Sequence, residues 1–290
     1  MMSGKIKAII IDVDGVIIGE KIGFNSPDPN PLVTRKLKSI QNSGTPIILC
    51  TAKPHFALKK LIADADLNNF HITDGGGVVI DPLGKKVLNK HIIPSEIALK
   101  VVSSLLDANV YTEIYTLDNY VIQSSQFGEV TNKHAMVIQN HPKQVKSLKA
   151  AIVDHEVTKI MPIANDTNDK IRVDSIIRQF EPDVTVSWGV HPVILPLQFG
   201  IVTAPGISKS IAAEQILKNI GINSGDTLGV GDSTSDWQFI KPCGYGAAMG
   251  NASEELKQLV LTKSAGQSYI APSVDENGIL SVFSYFNIDE

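Results

Sequence analysis

The sequence contains few cysteines: only Cys50 and Cys243 occur among its 290 residues. Two cysteines are too few for the disulfide framework on which many small secreted proteins depend. Both stand in apolar surroundings, where cysteine behaves as a small hydrophobic side chain. We therefore expect a reducing compartment, and we interpret both cysteines as core residues rather than as metal ligands or nucleophiles.

Long apolar runs and long basic runs are also missing. No stretch approaches the roughly 20 apolar residues that cross a bilayer, and the run Ala8–Ile11 is too short for a secretory signal. The formal net charge is −4, and Lys and Arg do not cluster. A nucleic-acid backbone needs clustered cations. These absences predict a cytoplasmic protein that binds neither membranes nor nucleic acids.

The first third of the chain alternates strand and helix patterns. The β-branched run Ile6–Ile11 predicts a buried parallel strand. A helix is predicted between Asn30, which can cap its start, and Gly44, which can end it. This βαβαβ order predicts a parallel sheet with flanking helices, a Rossmann-like α/β core. The other elements predicted here are a strand at Pro46–Cys50, a helix at His55–Ala65 and a strand at Asn69–Thr73.

The pattern changes in the middle of the chain. Alternating strands mix with helices there, which predicts an inserted α+β domain over residues 82–199. The expected organisation is a discontinuous α/β core, residues 1–81 and 200–290, interrupted by this second domain. The elements predicted in the insertion are helices at Ser95–Leu106 and Pro142–Asp154 and strands at Asn109–Thr116 and Tyr120–Ser124. Those predicted after it are a helix at Ser208–Ile220 and strands at Asp226–Gly231 and Gly246–Met249.

Polar side chains follow predicted strands, or begin a predicted helix, at four places. Singly, each has an ordinary structural explanation, since Asp forms turns and caps and Lys is commonly solvated. Ligands of a parallel α/β sheet gather at the carboxyl ends of its strands. Together these carboxylates would repel one another without a divalent cation, for which Mg²⁺ is the natural candidate. The four places are Asp12 with Asp14, Thr51, Lys209, and Asp232 with Asp236.

This combination of groups predicts phosphoryl chemistry. The Asp12 carboxylate can attack a phosphoryl group and form an acyl phosphate, which divides hydrolysis into two easier steps. Asp14 shares the same strand end and can protonate the leaving group and later activate water. Lys209 and the Thr51 hydroxyl would hold the phosphoryl oxygens and offset the repulsion between phosphate and nucleophile.

The sequence closely resembles the haloacid-dehalogenase-like (HAD) superfamily of phosphohydrolases, whose four motifs occur here in order. Two further stretches, Ala248–Ala252 and Asp275–Ile279, resemble its Cof-type branch, and the long insertion fits the large α/β cap of that branch. The four motifs are Asp12-Val13-Asp14-Gly15-Val16, Leu49-Cys50-Thr51-Ala52, Gly206-Ile207-Ser208-Lys209-Ser210 and Gly231-Asp232-Ser233-Thr234-Ser235-Asp236.

The resemblance implies a Mg²⁺-dependent phosphatase that hydrolyses a small phosphorylated metabolite, such as a sugar phosphate, through an aspartyl-phosphate. It implies that Asp12 and Asp232 ligate Mg²⁺ through their side chains. Asp14 would ligate it through its backbone carbonyl, and Asp236 would support it directly or through water. The residues that it implies for binding the substrate phosphate are Thr51, Ala52 and Lys209.

Three departures from the branch affect the rim of the site rather than its acidic groups or lysine. Ala52-Lys53-Pro54 stands where Gly-Arg is frequent, Ser233 and Ser235 replace Gly and Asn, and Gly75–Gly77 replaces Asn-Gly-Ala. We therefore expect the chemistry to survive, with altered contacts to substrate. Two alternatives remain open: a phosphomutase on the same fold, and a non-catalytic metabolite-binding protein. The intact nucleophile and lysine disfavour the second, and no feature demands the bisphosphate intermediate of the first.

Overall fold

The structure is a computed structural model that describes residues 6–288, apart from the side chain of Pro192. Residues 1–5 and 289–290, which belong to the predicted core, lie outside the described residues. The strands are β1 (Ala8–Ile11), β2 (Ile47–Leu49), β3 (His71–Thr73), β4 (Val78–Ile80), β5 (Val87–Lys90), β6 (Tyr111–Tyr115), β7 (Tyr120–Gln123), β8 (Lys143–Val145), β9 (Lys159–Ala164), β10 (Thr185–Val190), β11 (Gln198–Thr203), β12 (Thr227–Gly231), β13 (Tyr245–Ala248) and β14 (Ser268–Ile270). The helices are α1 (Pro31–Asn42), α2 (Lys59–Asp64), α3 (Ser95–Asp107), α4 (Glu129–Ile138), α5 (Leu148–Asp154), α6 (Thr167–Ile177), α7 (Lys209–Asn219), α8 (Trp237–Ile240), α9 (Glu254–Leu261) and α10 (Gly278–Tyr285).

The chain divides into two compact units. The first, the α/β unit, comprises the described residues up to Thr51, Leu58–Leu88, and the described residues from Ser208 onward. The second, the α+β unit, comprises Ala52–Ala57 and Asn89–Ile207. Besides the central segment, the second unit therefore includes a short stretch that directly follows Thr51.

The α/β unit is built on a five-stranded sheet in the order β14-β13-β12-β1-β2. All of its strand pairs are parallel, and β1 lies between β12 and β2. Parallel strands need crossover connections, and helices supply several of these here. The polar residues that follow β1, β2 and β12 consequently emerge at the same edge of the sheet. The predicted α/β fold with a parallel sheet and a separate α+β part is confirmed.

Alternate residues of β1 pack into two different hydrophobic cores. Ile9 and Ile11 belong to the core that includes residues of α1, α2 and α10. Ile10 belongs to the opposite core, which includes residues of α7, α8 and α9. Side chains of a strand alternate between its faces, and each of these three isoleucines is fully buried. Burial of one such side chain contributes about 2 kcal/mol, so helices on both faces are needed to cover the sheet.

The α+β unit is built on a six-stranded sheet in the order β10-β11-β9-β6-β7-β8. Its pairs are antiparallel except for β7 with β8. A core that includes residues of α3, α5 and α6 packs with residues of this sheet. Within residues 6–288, no helix is long and apolar enough to cross a membrane.

Three predicted elements differ from the structure. The predicted third parallel strand, β3, pairs antiparallel with β4 in a separate three-stranded sheet, and a parallel bridge between Cys50 and Ile72 links it to the main sheet. The first part of the predicted helix Pro142–Asp154 is instead the strand β8, because pairing with β7 outweighs local helix propensity there. The remainder of that range contains α5. The predicted helix His55–Ala65 is a 3₁₀ turn followed by α2.

Candidate active site

The site is built from loops that follow three neighbouring strands. Asp12 directly follows β1, Thr51 lies two residues after the end of β2, and Asp232 directly follows β12. Ile11 pairs with Val230 on one side and with Leu49 on the other. Since these strands run in parallel, their carboxyl ends bring Asp12 and Asp232 to the same edge.

Three carboxylates converge at this edge. One oxygen from each of Asp12, Asp232 and Asp236 lies within 4.8 Å of the others. Asp236 is fully buried, Asp12 is 8% exposed and Asp232 is half-buried. The Asp14 carboxylate is not a member of this group; it lies half-buried two residues beyond Asp12. The donor atoms are all hard oxygens, which Mg²⁺ and Ca²⁺ prefer.

Lys209 supplies a cation to this group from the first residue of α7. Ser208 caps the helix by accepting a hydrogen bond from the Ser210 N–H, which begins α7 at Lys209. The Lys209 Nζ donates to Asp236 Oδ1 at 2.7 Å and lies 3.4 Å from Asp12 Oδ1. Its side chain is buried, so its position is determined by these two carboxylates rather than by water.

The second oxygen of Asp236 is also fully engaged. Asp236 Oδ2 accepts hydrogen bonds from the N–H of Asp232 at 3.1 Å and of Ser233 at 3.1 Å, and from Ser233 Oγ at 3.0 Å. A Cβ at Gly231 would lie 2.5 Å from Asp236 Cβ, so only glycine fits there. Ser233 is a residue to which the sequence pattern assigns no role, although its place in the Gly-Asp-Ser run marks it. Asp236 therefore fixes the loop that carries Asp232.

The charges of the group perturb one another. Burial and then the neighbouring Asp236 charge hold the pKa of Asp12 well above its usual range, while Lys209 opposes them. Burial, with Asp236 and Asp14, raises the pKa of Asp232 to about 7. Burial alone would lower the pKa of Lys209, but the carboxylates of Asp12 and Asp236 outweigh it and hold that pKa well above its usual value. One ammonium thus leaves the carboxylates incompletely neutralised.

Gly15 lets the loop after β1 approach the loop after β12. Its φ is +78°, and a Cβ there would lie 2.0 Å from Asp232 Oδ2. The Gly15 N–H donates to the Ile18 carbonyl, and Ile17 and Ile18 donate to the Val13 carbonyl. These bonds close a tight turn from Val13 to Ile18 that contains Asp14.

Thr51 is buried two residues after the end of β2, and its neighbour Ala52 lies in the α+β unit. The Ala52 carbonyl accepts a hydrogen bond from Lys159 Nζ at 2.9 Å within that unit. The structure thus groups Asp12, Asp232, Asp236 and Lys209. It places Thr51 two residues beyond the end of β2, the strand next to β1.

The glycine run after β3 contacts both predicted phosphate-binding regions of the α/β unit. The Gly75 N–H donates to the Thr51 carbonyl at 3.0 Å. Gly76 has a φ of +106°, and a Cβ there would lie 2.8 Å from Ser208 C and 2.9 Å from Lys209 N. In the sequence, this run stands out only as a departure from the family pattern. In the structure it packs against the start of α7.

The sequence model of the family described as haloacid dehalogenase-like hydrolase matches residues 9–283, which include every residue of this group. The chain belongs to this family. It is therefore an enzyme of the hydrolase class, and its curated relatives are phosphatases. The family resemblance predicted from the four motifs is confirmed.

Relatives and solved structures agree with this assignment. The 5-amino-6-(5-phospho-D-ribitylamino)uracil phosphatase YwtE of Bacillus subtilis is 23% identical, over 94% of this chain and 95% of that protein. A haloacid dehalogenase-like hydrolase from Bacteroides thetaiotaomicron superposes with a TM-score of 0.81 at 22% identity, covering 97% of this chain and 99% of that one. A subclass IIB sugar phosphatase superposes with a TM-score of 0.75 at 23% identity, with the same coverage. These likenesses confirm the fold.

Proposed function

We propose that this hydrolase is a Mg²⁺-dependent phosphatase that acts on a small phosphorylated metabolite, with a sugar phosphate as the favoured substrate, through an aspartyl-phosphate on Asp12. The observation that carries the proposal is the buried group of Asp12, Asp232 and Asp236 with the Lys209 ammonium inside it. A structural salt bridge would need one carboxylate for one ammonium. A surplus of buried carboxylates instead favours a site that receives further positive charge.

The residues present fit Mg²⁺. Three carboxylate oxygens lie within 4.8 Å of one another, and the surplus negative charge of the group is the kind that a divalent cation neutralises. We propose Asp12 and Asp232 as side-chain ligands and the Asp14 carbonyl as a backbone ligand. Asp236, whose oxygens are already hydrogen-bonded, supports the site. When bound, Mg²⁺ would neutralise charge on the phosphoryl oxygens.

The reaction then follows from the chain's own residues. The Asp12 carboxylate attacks phosphorus, and the bond from phosphorus to the leaving oxygen breaks. Asp14 donates a proton to that oxygen and then removes one from the water that hydrolyses the acyl phosphate. Lys209 and Thr51 bind the phosphoryl oxygens. Because Lys209 Nζ already lies 3.4 Å from Asp12 Oδ1, its charge stands where negative charge accumulates as the nucleophile and phosphate approach.

The substrate class is supported by the relatives. One structural neighbour is named a sugar phosphatase, and one curated relative is named a phosphatase of a phosphoribitylamino compound. Both names describe small phosphorylated molecules with a sugar-derived part. The cytoplasmic location and the absence of nucleic-acid and membrane partners stay predictions from the sequence.

The experiment is phosphate release from p-nitrophenyl phosphate and a panel of sugar phosphates, with Mg²⁺ and with EDTA. We expect turnover with Mg²⁺ and none with EDTA. Asp12→Asn should lower kcat/KM on the order of 10⁴-fold, because removal of a nucleophile abolishes the covalent route. The fold of the variant is checked by circular dichroism.

The matched control is Asp226→Asn, which makes the same chemical change at a surface aspartate paired with Lys7. It should keep full activity. Mg²⁺-independent turnover, or turnover that survives Asp12→Asn, would contradict the proposal. Conversion of a sugar 1-phosphate to a 6-phosphate without phosphate release would instead favour the phosphomutase.

A further inference from the structure

The segment Met249–Ser253 joins the two loops that carry the acidic group. The Met249 N–H donates to the Gly231 carbonyl at 3.1 Å, and the Ser253 N–H donates to the Asp232 carbonyl at 3.0 Å. The two ends of the segment are therefore hydrogen-bonded to the last residue of β12 and to the first residue of the loop that follows it. The segment lies between β13 and α9, and all of it except Ser253 belongs to the stretch that resembles the Cof-type branch, to which the proposed chemistry assigns no role.

Asn251, in the middle of this segment, bonds to the other acidic loop. Its Nδ2 donates to the Gly15 carbonyl at 2.9 Å, directly after Asp14. Its Oδ1 accepts from the Val274 N–H at 2.9 Å. Asn251 is an exposed residue, yet both ends of its amide bind backbone groups that are distant in sequence. Water alone could hydrate the amide of an exposed asparagine in a loop. The two bonds to backbone groups therefore indicate a positioning role.

Close packing restricts the position of the same segment. The Gly250 N–H donates to the Pro272 carbonyl at 3.1 Å. A Cβ at Gly250 would lie 2.7 Å from Ser273 N. Backbone atoms cannot move aside as the end of a side chain can, so residue 250 must be glycine for this approach. The close packing at Gly250 therefore fixes the position of the neighbouring Asn251, whose amide bonds to Gly15.

We propose that Met249–Ser253 is a clasp that holds the Asp12–Gly15 loop against the Gly231–Asp232 loop, and that Asn251 is the positioning residue that orients Asp14. The part concerning Asp14 rests on the proposed function. The Gly15 carbonyl belongs to the residue next to Asp14. A displacement of Gly15 would therefore change the backbone orientation of Asp14 and the direction of its carboxyl group. Asp12 is less affected, because its N–H is bonded to the Val230 carbonyl within the sheet.

The test is Asn251→Asp, which keeps the oxygen that accepts from Val274 but replaces the donor to Gly15 with a second acceptor. Two aryl phosphates of similar shape separate the roles of Asp14 and Asp12. p-Nitrophenol leaves without a proton, whereas phenol needs one from the general acid. For phenyl phosphate we expect kcat/KM to fall on the order of 10-fold to 100-fold. For p-nitrophenyl phosphate we expect a loss below about 3-fold.

The matched control is Asn223→Asp in the same unit. Asn223 is exposed and its side chain makes no capping hydrogen bond, so this variant adds the same charge without removing a partner. It should leave both kcat/KM values and their ratio unchanged. Equal losses on both substrates in Asn251→Asp would overturn the positioning of Asp14, while the proposed function would stand.

A second measurement does not depend on activity. The N–H groups of Gly15, Ile17 and Ile18 are hydrogen-bonded inside the loop after β1. Asn251→Asp should speed amide hydrogen exchange in this loop, and Asn223→Asp should not. Unchanged exchange would overturn the clasp.

If the wild-type protein released no phosphate from either substrate, the proposed function would fail, and the exchange measurement alone would decide whether the clasp exists. If Asn251→Asp does not fold, Asn251→Ala, which adds no charge, replaces it in both measurements.

Discussion

Lys209 shows how one residue can determine the electrostatics of a buried site. Its ammonium lies between Asp12 and Asp236 and is screened from water, so neither its charge nor theirs is well solvated. Removing one member of a buried ion pair leaves its partner uncompensated, which costs more than the pair contributes. Among the described residues Asp232 has no such counter-ion of its own, since Lys209 Nζ binds the other two carboxylates.

This imbalance predicts that Mg²⁺ stabilises the folded protein through Asp232. With Mg²⁺ at 100 times its dissociation constant, the free energy of unfolding should rise by about 2.7 kcal/mol. Asp232→Asn should lose most of this increase, because it removes a proposed ligand. The measurement is thermal unfolding with Mg²⁺ and with EDTA.

Asp226→Asn is the control here too, because Asp226 lies at the surface away from the carboxylate group. It should show the same Mg²⁺-dependent increase as the wild-type protein. A full increase in Asp232→Asn would place the cation elsewhere and contradict the assignment of this ligand.

Among the elements, the glycine run after β3 has the most direct effect on the site. Gly76 approaches the backbone of Ser208 and Lys209 more closely than any side chain would permit. Lys209 is the first residue of α7, so a shift of the helix start moves its ammonium. The Gly75 N–H also bonds to the Thr51 carbonyl, and one short turn therefore contacts two of the three predicted phosphate-binding residues, Thr51 and Lys209.

We expect Gly76→Ala to lower both stability and activity. A positive φ costs an L-residue about 1–2 kcal/mol, and the added Cβ must also displace the start of α7. The free energy of unfolding in urea and kcat/KM with p-nitrophenyl phosphate measure the two effects. We expect kcat/KM to fall on the order of 10-fold, because a displaced Lys209 ammonium would no longer be correctly placed to bind the transition state.

Gly44→Ala is the matched control. Gly44 has a φ of +95°, and a Cβ there would meet no other described residue within 4 Å beyond its two chain neighbours. The variant should lose the stability that a positive φ costs an alanine, and it should keep full activity. If both variants lose stability equally and keep activity, Gly76 does not position Lys209.

Over the protein as a whole, each unit has its own core and its own buried polar group. In the α+β unit, Glu113 is fully buried and accepts from Tyr115 Oη at 2.7 Å and from Tyr111 Oη at 3.2 Å. His134 Nδ1 lies 3.0 Å from Glu113 Oε1. These partners replace the water that would solvate the Glu113 carboxylate in the unfolded chain.

Glu113→Ala should therefore destabilise the α+β unit by about 3 kcal/mol, because it leaves several buried polar groups without a partner. Trp188 reports on this unit and Trp237 on the other, so urea unfolding is followed by fluorescence in a Trp237→Phe background. The control is Glu129→Ala, which breaks only an exposed pair with Lys133 and should cost below about 1 kcal/mol. Equal costs would show that the Glu113 group contributes nothing beyond a surface pair.

Elements with strong local signals are predicted well from the sequence. Asn30 caps α1, and Pro31 is its first residue, as the pattern indicates. The start of α7 after Ser208 and the strand before Asp232 are also close to the prediction. Elements that depend on distant partners are predicted less well. β8 forms because β7 lies beside it, and β3 pairs with β4 while one parallel bridge links it to the main sheet.

The family and the side chains that carry its chemistry are evident from the sequence alone, because each motif is a short run whose residues lie together at a strand end or helix start. Which of these groups meet depends on the tertiary fold. Lys209 contacts Asp236, and Asn251 bonds to Gly15, which is 236 positions away. The second contact requires β1 to lie beside β12, and strand order comes from the packing of whole elements rather than from any local pattern.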